Sequence, residues 1–228
     1  MVILTQHKWF WTVLASVILT LSSYAVAGGL GWITGLPSYL ELSAVFTSYV
    51  CTILCVHQTR WNYPIGVLTT FLYSWLFYQW EMYAVSLFNL YLVFSLAYGW
   101  FRWGPDGNTR PVTLVQNRMW FGYFVLGIVI YLFLDGVNRA FGVTITGTEI
   151  AITVLSGVAQ FLLDNKKIET WAFWFVVNVL SIWFFFTGGL YLVAFQYVFF
   201  LANTLYGARE WTRSMAPEDW HIWDYKTK

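Results

Sequence analysis

The chain has 228 residues, of which 59% are hydrophobic, 22% aromatic and only 10% charged, and its mean hydropathy is +0.60. Soluble domains carry roughly a quarter charged residues and cannot hide this much apolar surface, so the composition excludes a water-soluble fold and makes lipid the solvent. A net charge of +1 gives no bulk attraction for nucleic acid, so no nucleic-acid partner is expected.

A helix needs about 20 apolar residues to cross a bilayer. In chain order, eight such helices are predicted: 10–27, 41–57, 62–79, 83–101, 119–135, 148–163, 170–187 and 190–208. The first follows Lys8 and ends at Ala25-Val26-Ala27, a pattern that signal peptides and their cleavage sites share. In the second, Cys51 and Cys55 are four apart on one face of an apolar run. Such a pair acts as buried small hydrophobes rather than as a disulfide or metal site. Pro64 and Gly66 could kink the third helix and let a gate move. Gln79-Trp80-Glu81 and Thr187-Gly188-Gly189 are connections so short that their flanking helices must be antiparallel neighbours. Polar connections are expected at 102–118 and 136–147, and a polar tail at 212–228.

With eight crossings, Lys8, Arg60, Arg102, Arg110, Arg118, Lys166, Lys167, Arg209, Arg213, Lys226 and Lys228 all fall on one side, and of the 12 basic residues only Arg139 falls on the other. The positive-inside rule then places both termini in the cytoplasm.

Sliding the chain by 108 positions aligns 41–103 with 149–211 without a gap, with 12 identities in 63 positions. Apolar chains match readily by chance, but the shared endings Tyr98-Gly99…Trp103 and Tyr206-Gly207…Trp211 are harder to dismiss. Each segment holds three helices, and a single helix, 119–135, lies between them. Three crossings plus one linker give both repeats the same orientation, a known transporter plan with its site at the repeat interface. The chain therefore divides into an N-terminal helix and loop (1–40), a first three-helix repeat (41–103), a loop and linker helix (104–148), a second repeat (149–211) and a cytoplasmic tail (212–228).

Trp61-Asn62-Tyr63-Pro64-Ile65-Gly66, Leu76-Phe77-Tyr78-Gln79, Tyr83 and Tyr98-Gly99-Trp100-Phe101-Arg102-Trp103 resemble the PnuC family of bacterial nicotinamide riboside transporters. So do Glu169-Thr170-Trp171-x-x-Trp174, Gly189-Leu190-Tyr191 and Tyr206-Gly207-x-Arg209-Glu210-Trp211 in the second half. The resemblance implies an all-α integral membrane fold in the bacterial inner membrane, with a SWEET-like core of three, one and three helices plus an extra N-terminal helix. It implies facilitated diffusion of a vitamin precursor that an intracellular kinase traps by phosphorylation. Relatives in the same family carry thiamine or riboflavin instead. Phe88, with Asn89 beside it, stands where the family pattern has a glutamine.

Polar side chains inside a membrane are costly and usually functional. Trp171, Trp174 and Asn178 are spaced by three and four, on one helix face, as are Gln196 and Asn203, seven apart. Gln160 lies late in the sixth helix, and Asn89 approximates the Gln196 position in the first repeat. Two tryptophan faces and several amides suit a heteroaromatic ring carrying a ribose, and a cationic ring adds cation–π attraction. The alternative role for the amides is stapling helices together. Trp75 and Trp183, equivalent in the two repeats, are expected to serve packing.

His7, His57 and His221 fall at or beyond helix ends, no two acids share a mid-membrane face, and no phosphate loop is present. An enzyme, an ATP-driven pump and a carboxylate-based ion coupling are therefore disfavoured. No cofactor or metal is expected. The expected partners are a small-molecule substrate and the lipid bilayer, with homo-oligomerisation left open. The competing class is a non-transporting membrane scaffold or binder.

Overall fold

The computed structural model describes residues 2–33, 37–105, 110–142 and 145–215. Among them the chain forms eight α-helices: α1 (Val2–Gly29), α2 (Tyr39–Val56), α3 (Asn62–Gln79), α4 (Tyr83–Trp103), α5 (Asn117–Phe141), α6 (Gly147–Asp164), α7 (Thr170–Thr187) and α8 (Tyr191–Ser214). Local chemistry sets their ends. Ser38 caps α2 by accepting from the Glu41 N–H at 3.1 Å. Thr146 and Glu149 cap α6 reciprocally. Gly142, in the left-handed region at φ 64°, ends α5.

Six helices, α1, α2, α5, α6, α7 and α8, are long and apolar enough to cross a membrane. The sequence predicts eight. At 18 and 21 residues, α3 and α4 also have the length to cross. Several of their polar residues face inward, since Thr69, Thr70 and Tyr73 of α3 and Asn89 of α4 line an internal cavity.

Several sequence expectations shift, and α1 begins at Val2 rather than at 10. The helix expected at 119–135 continues to Phe141, and its extra turn carries an Asp135–Arg139 ion pair at 2.9 Å. The last helix runs on to Ser214, because Trp211 is fully buried and ties its end to the bundle. Of the predicted tail, 212–214 is thus helix, Met215 is buried, and 216–228 lie outside the described residues. Ala25-Val26-Ala27 lies inside an unbroken α1, which packs on α2 and α8 and bonds to α2 through Ser23 and Tyr49 at 2.8 Å. Pro64 sits in the first turn of α3, where its missing N–H costs nothing, and α3 is one continuous helix rather than two kinked halves.

Consecutive helices α2, α3 and α4 pack side by side, as do α6, α7 and α8. The two sets meet through α4 on α6 and α8 on α2, and α5 packs on α6 alone among the stronger contacts. The paired starts Tyr39 and Gly147, Asn62 and Thr170, and Tyr83 and Tyr191 are each 108 positions apart. The turns follow the same spacing. Gln58 and Lys166 both have positive φ, as do Glu81 and Gly189.

Residues with this spacing also meet in space. Trp103 and Trp211 lie 5.8 Å apart, Phe77 and Phe185 stack at 6.4 Å, and Lys166 Nζ donates to Gln58 Oε1 at 2.9 Å. The Trp103 indole donates to the Leu163 carbonyl at 3.3 Å, and the Trp211 indole donates to the Cys55 carbonyl at 3.4 Å. Cys55 and Leu163 are themselves 108 apart, so the two bonds are one bond made twice.

The connection expected at 102–118 is an ordered strap over part of its length. Thr113 pairs in parallel with the α6–α7 turn: its N–H donates to the Lys166 carbonyl, and its own carbonyl accepts from the Ile168 N–H, both at 3.1 Å. Lys167 Nζ reaches Thr113 Oγ1 at 2.8 Å, and Glu169 accepts from the Val115 N–H at 2.8 Å. Val112 and Val115 bury their side chains beneath the strap.

Candidate functional site

Between the two helix sets lies a cavity of about 220 Å³. It abuts the cluster containing Tyr63, Trp103, Trp171 and Trp211, sharing Cys55, Leu96, Leu163 and Trp171 with it as walls. A smaller cavity adjoins it toward the cluster of Phe77, Phe185, Val193 and Ala194, sharing Tyr73, Asn89, Trp174 and Tyr197 as walls. No Lys, Arg, His, Asp or Glu lines the larger cavity among the described residues.

The seven residues singled out from sequence all line one cavity or the other. Asn89, Gln160, Trp171, Trp174, Asn178 and Asn203 line the larger one. Gln196 lines the smaller one, where Asn89 and Trp174 also contribute. Each amide is fixed by a bond to the protein. Asn178 donates to Thr204 Oγ1 at 2.9 Å, Asn203 to the Thr52 carbonyl at 3.3 Å, and Asn89 to the Val85 carbonyl at 2.9 Å. Gln160 donates to Asp164 Oδ1 at 2.9 Å. Gln196 accepts from the Tyr73 hydroxyl at 2.7 Å and donates to Ser48 Oγ, so it joins α8 to α2 and α3.

The two tryptophans differ. Trp171 is buried, edge-on to Trp211 at 5.2 Å, and its ring lies against Gly207. A Cβ at Gly207 would meet that ring at 2.3 Å. The equivalent Gly99 makes the same room for Tyr63, which stands edge-on to Trp103 at 5.1 Å. The Tyr-Gly-x-x-x-Trp endings thus have a physical meaning: the glycine accepts a ring from the middle helix, and the tryptophan closes over it. Trp174 is half-buried and walls both cavities. Trp75 and Trp183, expected to pack, are 54% and 66% exposed.

Sequence reasoning overlooked several polar residues near the cavities. Ser48, Asn62 and Tyr73 line the larger one, and Asp164 stands behind Gln160. Asp164 is fully buried, although the sequence showed no acid within a helix interior. Its signal was its position four residues after Gln160, on the same helix face, just past the expected end of the sixth helix. On the next turn Lys166 is also buried, 4.7 Å from the Trp103 ring, and burial lowers its pKa to about 8.

A bundle of apolar helices enclosing a cavity of aromatic rings and oriented amides defines a multi-pass membrane carrier of small molecules. The chain belongs to the nicotinamide mononucleotide transporter family, whose model matches residues 38–213. It is similar to the nicotinamide riboside transporter PnuC of Escherichia coli (strain K12), at 24% identity over 206 residues, covering 78% of this chain and 86% of that one. To the protein of the same name from Neisseria mucosa it is 27% identical over 195 residues, covering 77% and 73%. Its fold is similar to the crystal structure of the vitamin B3 transporter PnuC, with a TM-score of 0.68 at 23% identity, covering 90% of this chain and 96% of that one.

Proposed function

We propose that the chain carries nicotinamide riboside across the bacterial inner membrane by energy-independent alternating access. The family's name and the names of the relatives differ by one phosphate, and the cavity favours the form without it. No cation lines the larger cavity among the described residues. A phosphate entering it would lose its hydration with nothing in exchange, which is prohibitive. A pyridinium ring loses less and gains aromatic faces, Trp174 foremost, while Asn178, Asn203 and Gln160 offer amide oxygens to ribose hydroxyls. Discrimination against the phosphorylated form lets a cytosolic kinase draw net flux inward without a coupling ion.

In this reading α3 and α4 also span the bilayer, giving eight crossings. Residues 41–103 and 149–211 are parallel repeats about an axis along the membrane normal, with α5 as linker and α1 outside. Support comes from the equivalent pairs in contact. Gln58/Lys166 and Trp103/Trp211 lie at one end of the bundle and Phe77/Phe185 at the other, and residues that touch their own equivalents must sit on the axis. Alternating access is then a movement of one repeat against the other. The basic residues place both termini in the cytoplasm.

Proteoliposomes containing the purified protein and no ion gradient should equilibrate labelled nicotinamide riboside and exclude the mononucleotide. Uptake only under a proton or sodium gradient would refute uniport. Equilibration of thiamine in its place would refute the substrate, and no flux of either would leave a binder or scaffold.

A further inference from the structure

Asp164 ends α6 with no solvent contact. Its Oδ1 accepts from Gln160 and its Oδ2 accepts from Ser95 of α4 at 2.7 Å. Hydrogen bonds donated to both oxygens favour the ionised carboxylate. Neither hydrogen-bond partner is basic. A buried carboxylate without a cation bonded to it is among the most costly groups a fold can keep.

Packing does not require it. The residue 108 positions earlier, at the matching crossing of α2 and α8, is Val56, buried to 2% exposure. The same interface is therefore built once with an apolar side chain and once with a charge, and only the charged copy has a cavity amide bonded to it.

That amide is not alone in its orientation. Asn62, Asn89, Asn178 and Asn203 also direct an N–H into the protein, and among the described residues their carbonyl oxygens accept nothing from it. With Gln160, five amides around the cavity have committed one of their two N–H donors to the protein and kept the whole carbonyl oxygen. Such a wall attracts hydrogen-bond donors and positive charge.

We propose that Asp164 is the specificity-determining positioning residue of this cavity: it holds Gln160 with its amide oxygen available to the ligand, and its charge makes the cavity prefer a cationic ring to a neutral one of the same shape. The inference rests on the function proposed above and names what within the protein selects the pyridinium.

The test measures binding of two ligands to the purified full-length protein by calorimetry: nicotinamide riboside, whose ring is a cation, and its reduced dihydropyridine form, which is neutral and nearly isosteric. The wild type should bind the cation at least tenfold more tightly. Asp164→Asn, which keeps the shape, should lose about tenfold of that preference while its affinity for the neutral form changes less than threefold. Equal weakening of both ligands would show a structural role and overturn the proposal, as would an unchanged ratio. Gln160→Met tests the same idea with the charge in place and covers the case in which Asp164→Asn does not fold. It should weaken both ligands and keep the cation preference, and loss of that preference would place its source in the amide and overturn the proposal. A wild type that binds neither form overturns the substrate reading itself, and this inference with it; one that binds both alike overturns the inference alone.

Discussion

At the scale of single residues, the two glycines of the repeat endings show how a loose motif can rest on a strict steric demand. Gly207 accepts the Trp171 ring on its bare Cα, and no side chain can share that space. Trp171 in turn has no freedom to swing toward a ligand, because Trp211 meets it edge-on. The neighbour three positions on, Trp174, is the ring left to adapt. Gly207→Ala should therefore destabilise the protein by about 1–3 kcal/mol through overpacking, seen as a lower midpoint of thermal unfolding in detergent. A Gly207→Ala protein as stable as the wild type would mean that the ring relaxes freely.

At the scale of elements, the α6–α7 turn concentrates charge where its counterpart after α2 does not. Lys166 occupies the position matched by Gln58, donates to it, and lies near the Trp103 ring. Burial disfavours its charged form, lowering its pKa from 10.5 to about 8. Between those values the unfolded chain holds the proton that the folded chain has released, so stability rises with pH across that window and is reduced below it. Lys166→Met removes the titration. The wild type's stability relative to this variant should accordingly increase from about pH 8 to pH 10.5, as read from unfolding midpoints at each pH. A constant difference would show that Lys166 titrates near its ordinary value.

Helix positions were legible because each element announces itself by twenty apolar residues or by a turn too short to be anything else, and α3 and α7 match their predicted bounds. Helix ends were less legible. Nothing local in 136–141 or 209–214 says that a helix continues past the apolar run; an ion pair in α5 and a buried tryptophan in α8 decide it. The site divides in the same way. The amides stood out against apolar surroundings, and the cavities collect all seven chosen residues. Asp164, Ser95 and Tyr73 did not stand out, because a serine, a tyrosine or an acid at a helix end is ordinary until its neighbours from other helices are known.

At the scale of the whole molecule, the proposed orientation makes a claim that labelling can check. In a chain whose native cysteines are serines, Gly188→Cys at the α7–α8 turn should react with an impermeant reagent from outside intact cells. Arg118→Cys at the start of α5 should react only after the membrane is opened. Labelling of Arg118→Cys in intact cells would invert the topology while leaving the fold unchanged. The strap at 112–115 ties the start of α5 to the α6–α7 turn at that end of the bundle.

The doubled indole bond has an ancestral implication. Trp103 reaches a carbonyl of the second set, and Trp211 reaches the matching carbonyl of the first. An interface in which each side offers the other the same group is the kind two identical subunits make. A three-helix precursor could have associated with a copy of itself through this contact before any gene fusion joined them. Under the eight crossings proposed above, such a fusion would face a topological difficulty, since three crossings leave the chain on the wrong face to begin a parallel copy. One more crossing, α5 in that proposal, would remove it, and joining the halves in one polypeptide would free them to diverge. A homodimer has to carry every charge twice, whereas a fused chain can keep Val56 on one side and place Asp164 on the other.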